Sequence, residues 1–231
     1  MRYFETQIIQ NVRLQDDIWL MKIEVPERPK AGQFYTLRVD GELLPRPLSV
    51  CETENDTVTF AYQIVGSGTK KLSNMQASDT LWITGALGNG FNLDVIKPFR
   101  RIALVSGGIG IAPLIELAKH LEEHDVSSFC GFSDCAYLLD KLPNSHSKIG
   151  GFVTDLFDAA DFDLIIACGP DGFTRVIVQK CRNITPLLIS LDKHMACGIG
   201  ACLVCSCKTA DGMKRCCADG PIFWGEELSF D

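Results

Sequence analysis

The chain has 231 residues, 46% of them hydrophobic and 22% charged, enough for two compact domains or one large one and too apolar for disorder. No apolar run approaches the eighteen or so residues of a membrane span, and MRYFETQIIQNVRLQDD has neither the apolar core nor the cleavage site of a signal peptide, so a cytoplasmic protein is expected. A formal charge of −7, with no basic run longer than two residues, offers no electrostatic footprint for nucleic acid or an anionic membrane.

Residues 1–97 alternate β-type runs with turn residues: YFETQIIQNVRL, IWLMKIEV, QFYTLRVD, RPLSVCET, TVTFAYQIV and DTLWITGAL. Runs of this length between Pro, Gly, Asn and Asp predict a small antiparallel barrel or sandwich. From Arg101 the rhythm changes. RIALVSGG is an apolar strand ending in glycines, and APLIELAKHLEE puts Leu114, Ile115, Ala118 and Leu121 on one helical face. VSSFCGF then reads as a strand, GFVTDLFDA as a helix start, DLIIACGP as a buried strand and DGFTRVIVQKCRN as a helix. Residues 98–186 are therefore expected to form a doubly wound α/β domain with a parallel sheet. The remaining segment, 187–231, has few apolar runs for a core of its own, so a metal centre is the economical means of holding it together.

Six of the eleven cysteines lie between Cys197 and Cys217; Cys51, Cys130, Cys135, Cys168 and Cys181 are scattered. An odd number in a chain without a secretory signal is not a complete disulfide framework. Cys197, Cys202 and Cys205 follow the C-x4-C-x2-C spacing of a plant-type 2Fe-2S site, with a distant fourth ligand at Cys216 or Cys217, between which spacing does not choose. Gly198 and Gly200 allow the loop to wrap closely. A structural zinc site more typically has two C-x2-C pairs, whereas only Cys202 and Cys205 form one here. Buried apolar cysteines do not account for the density, and Cys207 reads as a bystander.

A one-electron cluster beside a hydride-donating nicotinamide requires a flavin between them. Arg46-Pro47-Leu48-Ser49 supplies a guanidinium for a diphosphate and a hydroxyl for a ring nitrogen. Gly66, Gly68 and Thr69 belong to a glycine turn opening a short helix, where amides can hold phosphate. Tyr62, Gln63 and Ile64, just before it, are grouped with the flavin-binding residues. A strand-edge Arg-Pro and an ordinary turn are the alternative reading of these segments. Gly107, Gly108, Gly110 and Pro113 lie in a G-x-G-x-x-P turn between a strand and a helix, the context of a dinucleotide loop without the full fingerprint. Cys168-Gly169-Pro170 ends another strand at the carboxyl edge, where open sheets bind ligands. Ser133-Asp134 stands where a ribose is read, with no Arg nearby for a 2′-phosphate, which favours NADH over NADPH. His120 and His124 read as a solvated helix face. Ile222, Phe223 and Trp224 fit either a partner surface or a hydrophobic anchor for the tail.

Through RPLS, GSGT, GGIGIAP, ACGP and MACGIGACLVC, the whole chain resembles the electron-transfer subunits of class 1B dihydroorotate dehydrogenases, within the ferredoxin-reductase superfamily. The resemblance implies an FAD-binding β-barrel, an NAD-binding α/β domain and a 2Fe-2S domain. It also implies Cys217, ahead of Ala-Asp-Gly-Pro, as the fourth ligand, with Cys168 as the catalytic contact near the nicotinamide. Electrons would run from the FMN of a catalytic partner through the cluster and FAD to NAD⁺, in a heterotetramer of two catalytic and two electron-transfer subunits; dihydroorotate would bind only on the partner. The chain departs from the resemblance in its short segment around LPNSHSKIG and in its Ser133-Asp134 loop. A sulfide dehydrogenase or ferredoxin:NADP reductase subunit is the alternative within the superfamily, and a zinc-stabilised binding module the alternative outside it.

Overall fold

The computed structural model describes residues 2–230. In chain order, the first half contains β1 (Arg2–Gln15), β2 (Ile18–Glu24), β3 (Phe34–Arg38), β4 (Arg46–Glu54), β5 (Thr57–Gln63), α1 (Ser67–Asn74), β6 (Thr80–Leu87) and α2 (Leu93–Ile96). The six strands close into an antiparallel barrel in the order β1-β2-β5-β4-β3-β6. Alternation supplies the reason: Met21 and Ile23 on β2, and Val58 and Phe60 on β5, face a sealed interior and are each 0% exposed. Each such side chain contributes about 1.5–3 kcal/mol of burial.

The second half contains β7 (Arg101–Gly107), α3 (Ala112–Ala118), β8 (Asp125–Phe132), β9 (Ser145–Ile149), β10 (Leu164–Gly169), α4 (Asp171–Cys181) and β11 (Leu187–Leu191). It ends with β12 (Ser206–Thr209), β13 (Gly212–Arg215), α5 (Cys216–Asp219) and β14 (Ile222–Trp224). The sheet runs β14-β11-β10-β7-β8-β9, parallel except for the antiparallel β14, while β12 and β13 form a separate hairpin. One face packs on the barrel through α3; the other is covered by α4 and the cysteine-rich tail.

Four expectations change. The GFVTDLFDA segment has no α-helix: it forms 3-10 turns at Val153–Asp155 and Ala159–Asp161. Asp158 adopts extended backbone and its carboxylate accepts the Ala160 N–H, a local bond that competes with helix propagation. The helix after the glycine turn stops at Ala118, ahead of Glu122 and Glu123, whose charges disfavour a helix C-terminus. His120 and His124 consequently lie beyond it and are not a free solvated face: His124 Nδ1 sits 2.7 Å from Phe99 O and His120 Nε2 3.7 Å from Glu116. The tail does not stand apart either. β11 pairs with β10 and β14 with β11, so hydrogen bonding runs across residues 186 and 187 without a break. Phe223 is 3% exposed and sits in the core on that face, which makes the Ile222–Trp224 strand an anchor. No helix among the described residues is long and apolar enough to cross a membrane.

Candidate functional site

The loop between β11 and β12 carries three of the four cysteines, and α5 carries the fourth position. Gly198 and Gly200 take φ of +70° and +82°, a region that L side chains avoid. A Cβ on Gly198 would come within 3.0 Å of Leu87 and of Thr36, so the loop lies directly on the barrel strands β3 and β6. That turn directs backbone amides at sulfur. Gly200 N donates to Cys217 Sγ at 3.0 Å, Cys202 N to Cys197 Sγ at 3.4 Å, Ile199 N to Cys197 Sγ at 3.5 Å, and Cys217 N to Cys205 Sγ at 3.4 Å.

These bonds link the cysteines two by two, Cys202 to Cys197 and Cys217 to Cys205. Partial burial pushes the Cys197 thiol up, but the amides of Ile199, Cys202 and Ala201 together with the Cys202 thiol outweigh it and bring the group down to about 6. A thiolate formed this readily is suited to holding a metal. Cys216 differs from its neighbour. Successive residues on a helix point about 100° apart, and Cys216, 0% exposed, turns into the core and donates its S–H to Leu191 O at 3.4 Å. Cys207 likewise points away, to Lys214 O. Arg215 pairs with Asp219 at 2.9 Å, holding that carboxyl down at about 2, and reaches Gly200 O at 3.4 Å, which ties α5 to the loop. Asn89, just past the barrel, donates to Asp219 O and fixes the other end of α5.

Arg46–Ser49 lie on β4, paired with β3 from Leu37↔Arg46 to Phe34↔Ser49. The cysteine loop, resting on Thr36, is therefore one strand away from this motif. Gly66, Gly68 and Thr69 form the entry to α1, where Thr69 Oγ1 accepts the amides of Val65 and Gly66. A Cβ on Gly68 would stand 1.9 Å from Arg46 Nε, so the guanidinium packs directly against the Gly68 backbone. Two segments about twenty residues apart thus converge. They meet at Glu42, which takes Arg46 Nη2 at 2.6 Å, Ser67 Oγ at 2.9 Å and Lys71 Nζ at 2.9 Å. Those bonds hold the Glu42 carboxyl below its usual range. Glu42 and Lys71 escaped the sequence reading because neither belongs to a motif. Tyr62 is 1% exposed in the barrel, its hydroxyl donates to Asn11 Oδ1, and it pairs with Trp19 across the β2–β5 ladder. Gln63 Nε2 is bonded to Asp17 and Ile64 N to Asp17 O.

Gly107 ends β7 and Gly108, at φ +53°, opens the turn into α3, with Pro113 in its first turn. A Cβ on Gly110 would lie 2.3 Å from Cys168 O and 2.8 Å from Gly169 N. Only glycine lets this turn press against the end of β10, and the two segments form one rim at the carboxyl edge of the sheet. Pro170 N-caps α4. Cys168 is 5% exposed, and burial followed by the charge of Asp192 pushes its thiol up to about 12. It is therefore a neutral thiol and not a thiolate nucleophile. Ser133 and Asp134 are exposed beyond β8. The half-buried Tyr137, which carries no motif, brings its hydroxyl within 3.9 Å of the Cβ position of Gly108.

Comparison with known proteins matches residues 192–229 to the iron-sulfur cluster binding domain of dihydroorotate dehydrogenase B. The dihydroorotate dehydrogenase B (NAD(+)) electron transfer subunit of Clostridium perfringens is 41% identical, covering 100% of this chain and 99% of its own length. The corresponding subunit of Caldanaerobacter subterraneus is 35% identical over 98% of each chain. Among solved structures, a chain of the NADH-dependent reduced ferredoxin-NADP oxidoreductase superposes with a TM-score of 0.87 at 28% identity, over 98% of this chain and 90% of that one. Phthalate dioxygenase reductase shares the fold, with a TM-score of 0.68 at 16% identity over 90% of this chain and 87% of that one. Likeness to curated relatives along the full length, with the cysteine segment matching its own family model, places the chain in the family of dihydroorotate dehydrogenase B electron transfer subunits.

Proposed function

We propose that this chain carries electrons between NAD(H) and the FMN of a dihydroorotate dehydrogenase catalytic subunit, as part of a cytoplasmic 2+2 heterotetramer in pyrimidine synthesis. The carrying observation is the arrangement of thiols. Two thiol pairs face one loop whose amides are aimed at the sulfurs, which suits the two irons of a 2Fe-2S cluster. A structural zinc site more typically takes two C-x2-C pairs, and only Cys202 and Cys205 form one here, which weighs against zinc.

In this reading Cys197 and Cys202 hold one iron and Cys205 and Cys217 the other. Residues 1–97 serve as the flavin unit, 98–186 as the nucleotide unit and 187–231 as the cluster unit, with β11 and β14 anchoring the last on the sheet. Arg46 and the amides at Gly66–Thr69 form a cationic cradle suited to the FAD diphosphate, with Pro47, Leu48 and Ser49 along the adjoining strand. Gly107, Gly108, Gly110 and Pro113, with Cys168, Gly169 and Pro170, form the nucleotide rim. When bound, FAD exchanges a hydride with the nicotinamide and single electrons with the cluster. The chain's residues set the order of the carriers: the cysteine loop rests on the strand paired with Arg46–Ser49, and the nucleotide rim lies on the sheet packed against the barrel.

The test is reconstitution with the FMN-containing catalytic subunit. Dihydroorotate-dependent reduction of NAD⁺ that needs both chains is the expected result. Reduction of NAD⁺ by ferredoxin alone, with no response to dihydroorotate, would move the protein to the reductase reading favoured by the 0.87 superposition.

A further inference from the structure

Hydride exchange between a nucleotide held by the sheet and a flavin held by the barrel requires the two bodies to keep a fixed separation, and a displacement of about 1 Å costs up to a hundredfold in rate. The contact that fixes it is α3 on β4, and at its centre lies Glu116, a carboxylate only 1% exposed. It belongs to none of the motifs above.

β4 pairs with β3 only as far as Ser49, so beyond that point one edge of the strand has no ladder partner among the described strands. Glu116 fills the gap. The Thr53 amide donates to Glu116 Oε2 at 2.8 Å and the Thr53 hydroxyl donates to Oε1. Arg28, from the barrel, donates Nε to Thr53 Oγ1 at 3.0 Å and brings Nη2 to 3.5 Å from Oε1. From the helix side, Lys119 lies 3.2 Å from Oε2 and also 3.3 Å from Glu52 on β4. A buried carboxylate persists only when its oxygens are fully engaged, and here every partner but Lys119 and His120 comes from the barrel.

The lever arms are short. Glu116 is three residues from Pro113, less than one helical turn. Thr53 is four residues from Ser49, about 13 Å along the same strand. We propose that Glu116 is the positioning residue that locks the nucleotide turn to the flavin strand, through Thr53 and Arg28, and so sets the geometry of hydride exchange. This rests on the function proposed above.

Glu116→Gln tests it in the full-length chain with cluster and FAD bound. Glutamine offers one acceptor and an NH2 where the carboxylate offered two acceptors, so one of the two Thr53 donors loses its partner. The limiting rate of flavin reduction by NADH is expected to fall about tenfold, with the half-saturating NADH concentration within about twofold of wild type. Deuterium exchange at the Thr53 amide is expected to quicken by a similar factor. Thr53→Val should reproduce the slower reduction and Thr53→Ser, which keeps the hydroxyl, should not; this pair carries the test if Glu116→Gln fails to fold. A limiting rate within twofold of wild type, or unchanged Thr53 exchange, would overturn the assignment. Failure of the wild-type chain to accept electrons from NADH would instead strike the function proposed above, while amide exchange would still judge the lock.

Discussion

Cys216→Ser and Cys217→Ser exchange the same sulfur for the same oxygen at adjacent positions of α5, and the structure gives them opposite outcomes. Both side chains are closed to solvent, at 0% and 2% exposure, so the two substitutions carry similar folding costs in the cluster-free chain. Burying a hydroxyl in place of a thiol costs about 2 kcal/mol at such sites. For a domain of this size that lowers Tm by roughly 4–8 °C. The cluster distinguishes them. Cys217 Sγ takes the Gly200 amide and touches Cys205, whereas Cys216 Sγ is committed to Leu191 O in the core. Iron and acid-labile sulfide per chain, measured anaerobically with the visible spectrum, should stay at two of each in Cys216→Ser and fall to near zero in Cys217→Ser. FAD content should stay at one per chain in both. Loss of the cluster in Cys216→Ser with retention in Cys217→Ser would refute the placement of α5 relative to the loop.

Cys202 is exposed, so Cys202→Ser should abolish the cluster at negligible folding cost and leave FAD in place; full iron and sulfide content in that variant would contradict its place in the ligand set. If Arg46 binds the diphosphate as proposed, Arg46→Ala costs about 1.5–3 kcal/mol, and equilibrium dialysis should show FAD held about ten to a hundred times more weakly. Gly110→Ala puts a methyl 2.3 Å from the Cys168 carbonyl oxygen, so reduction by NADH should collapse while the visible cluster spectrum persists. Asp134 and Asp16, the latter 3.6 Å from Cys135 Sγ, place carboxylates beside the Ser133-Asp134 loop, and a 2′-phosphate there would meet like charge. Stopped-flow reduction should accordingly be at least about tenfold faster with NADH than with NADPH at equal concentration.

The barrel was legible because its runs are short and rich in β-branched and aromatic residues, β2, β5 and β6 alternate over part of their length, and turn residues punctuate every run. β9 was not, since its residues are half-buried or exposed throughout and an edge strand of that kind leaves no hydrophobic pattern. β11 and β14 were assigned to the tail because a parallel sheet draws its strands from distant segments, and nothing local in Leu187–Leu191 announces its neighbour. The cysteine loop was legible from spacing, because three ligands on one short loop must be spaced to wrap a cluster. The choice between Cys216 and Cys217 was not a matter of spacing; it depends on which way a one-turn helix is rotated. Glu116 escaped notice for a related reason. A carboxylate in a helical segment reads as solvated, and only the open edge of β4 shows why one is buried there.

Anaerobic titration of the purified chain with NADH, followed by visible and electron paramagnetic resonance spectroscopy, follows the electrons through both carriers. One FAD and two irons per chain are expected, with bleaching of the flavin on the first additions and the spin signal of a reduced 2Fe-2S cluster as electrons pass on. A colourless chain containing zinc, or a flavin that bleaches while the cluster stays oxidised in the presence of excess NADH, would contradict the proposed function.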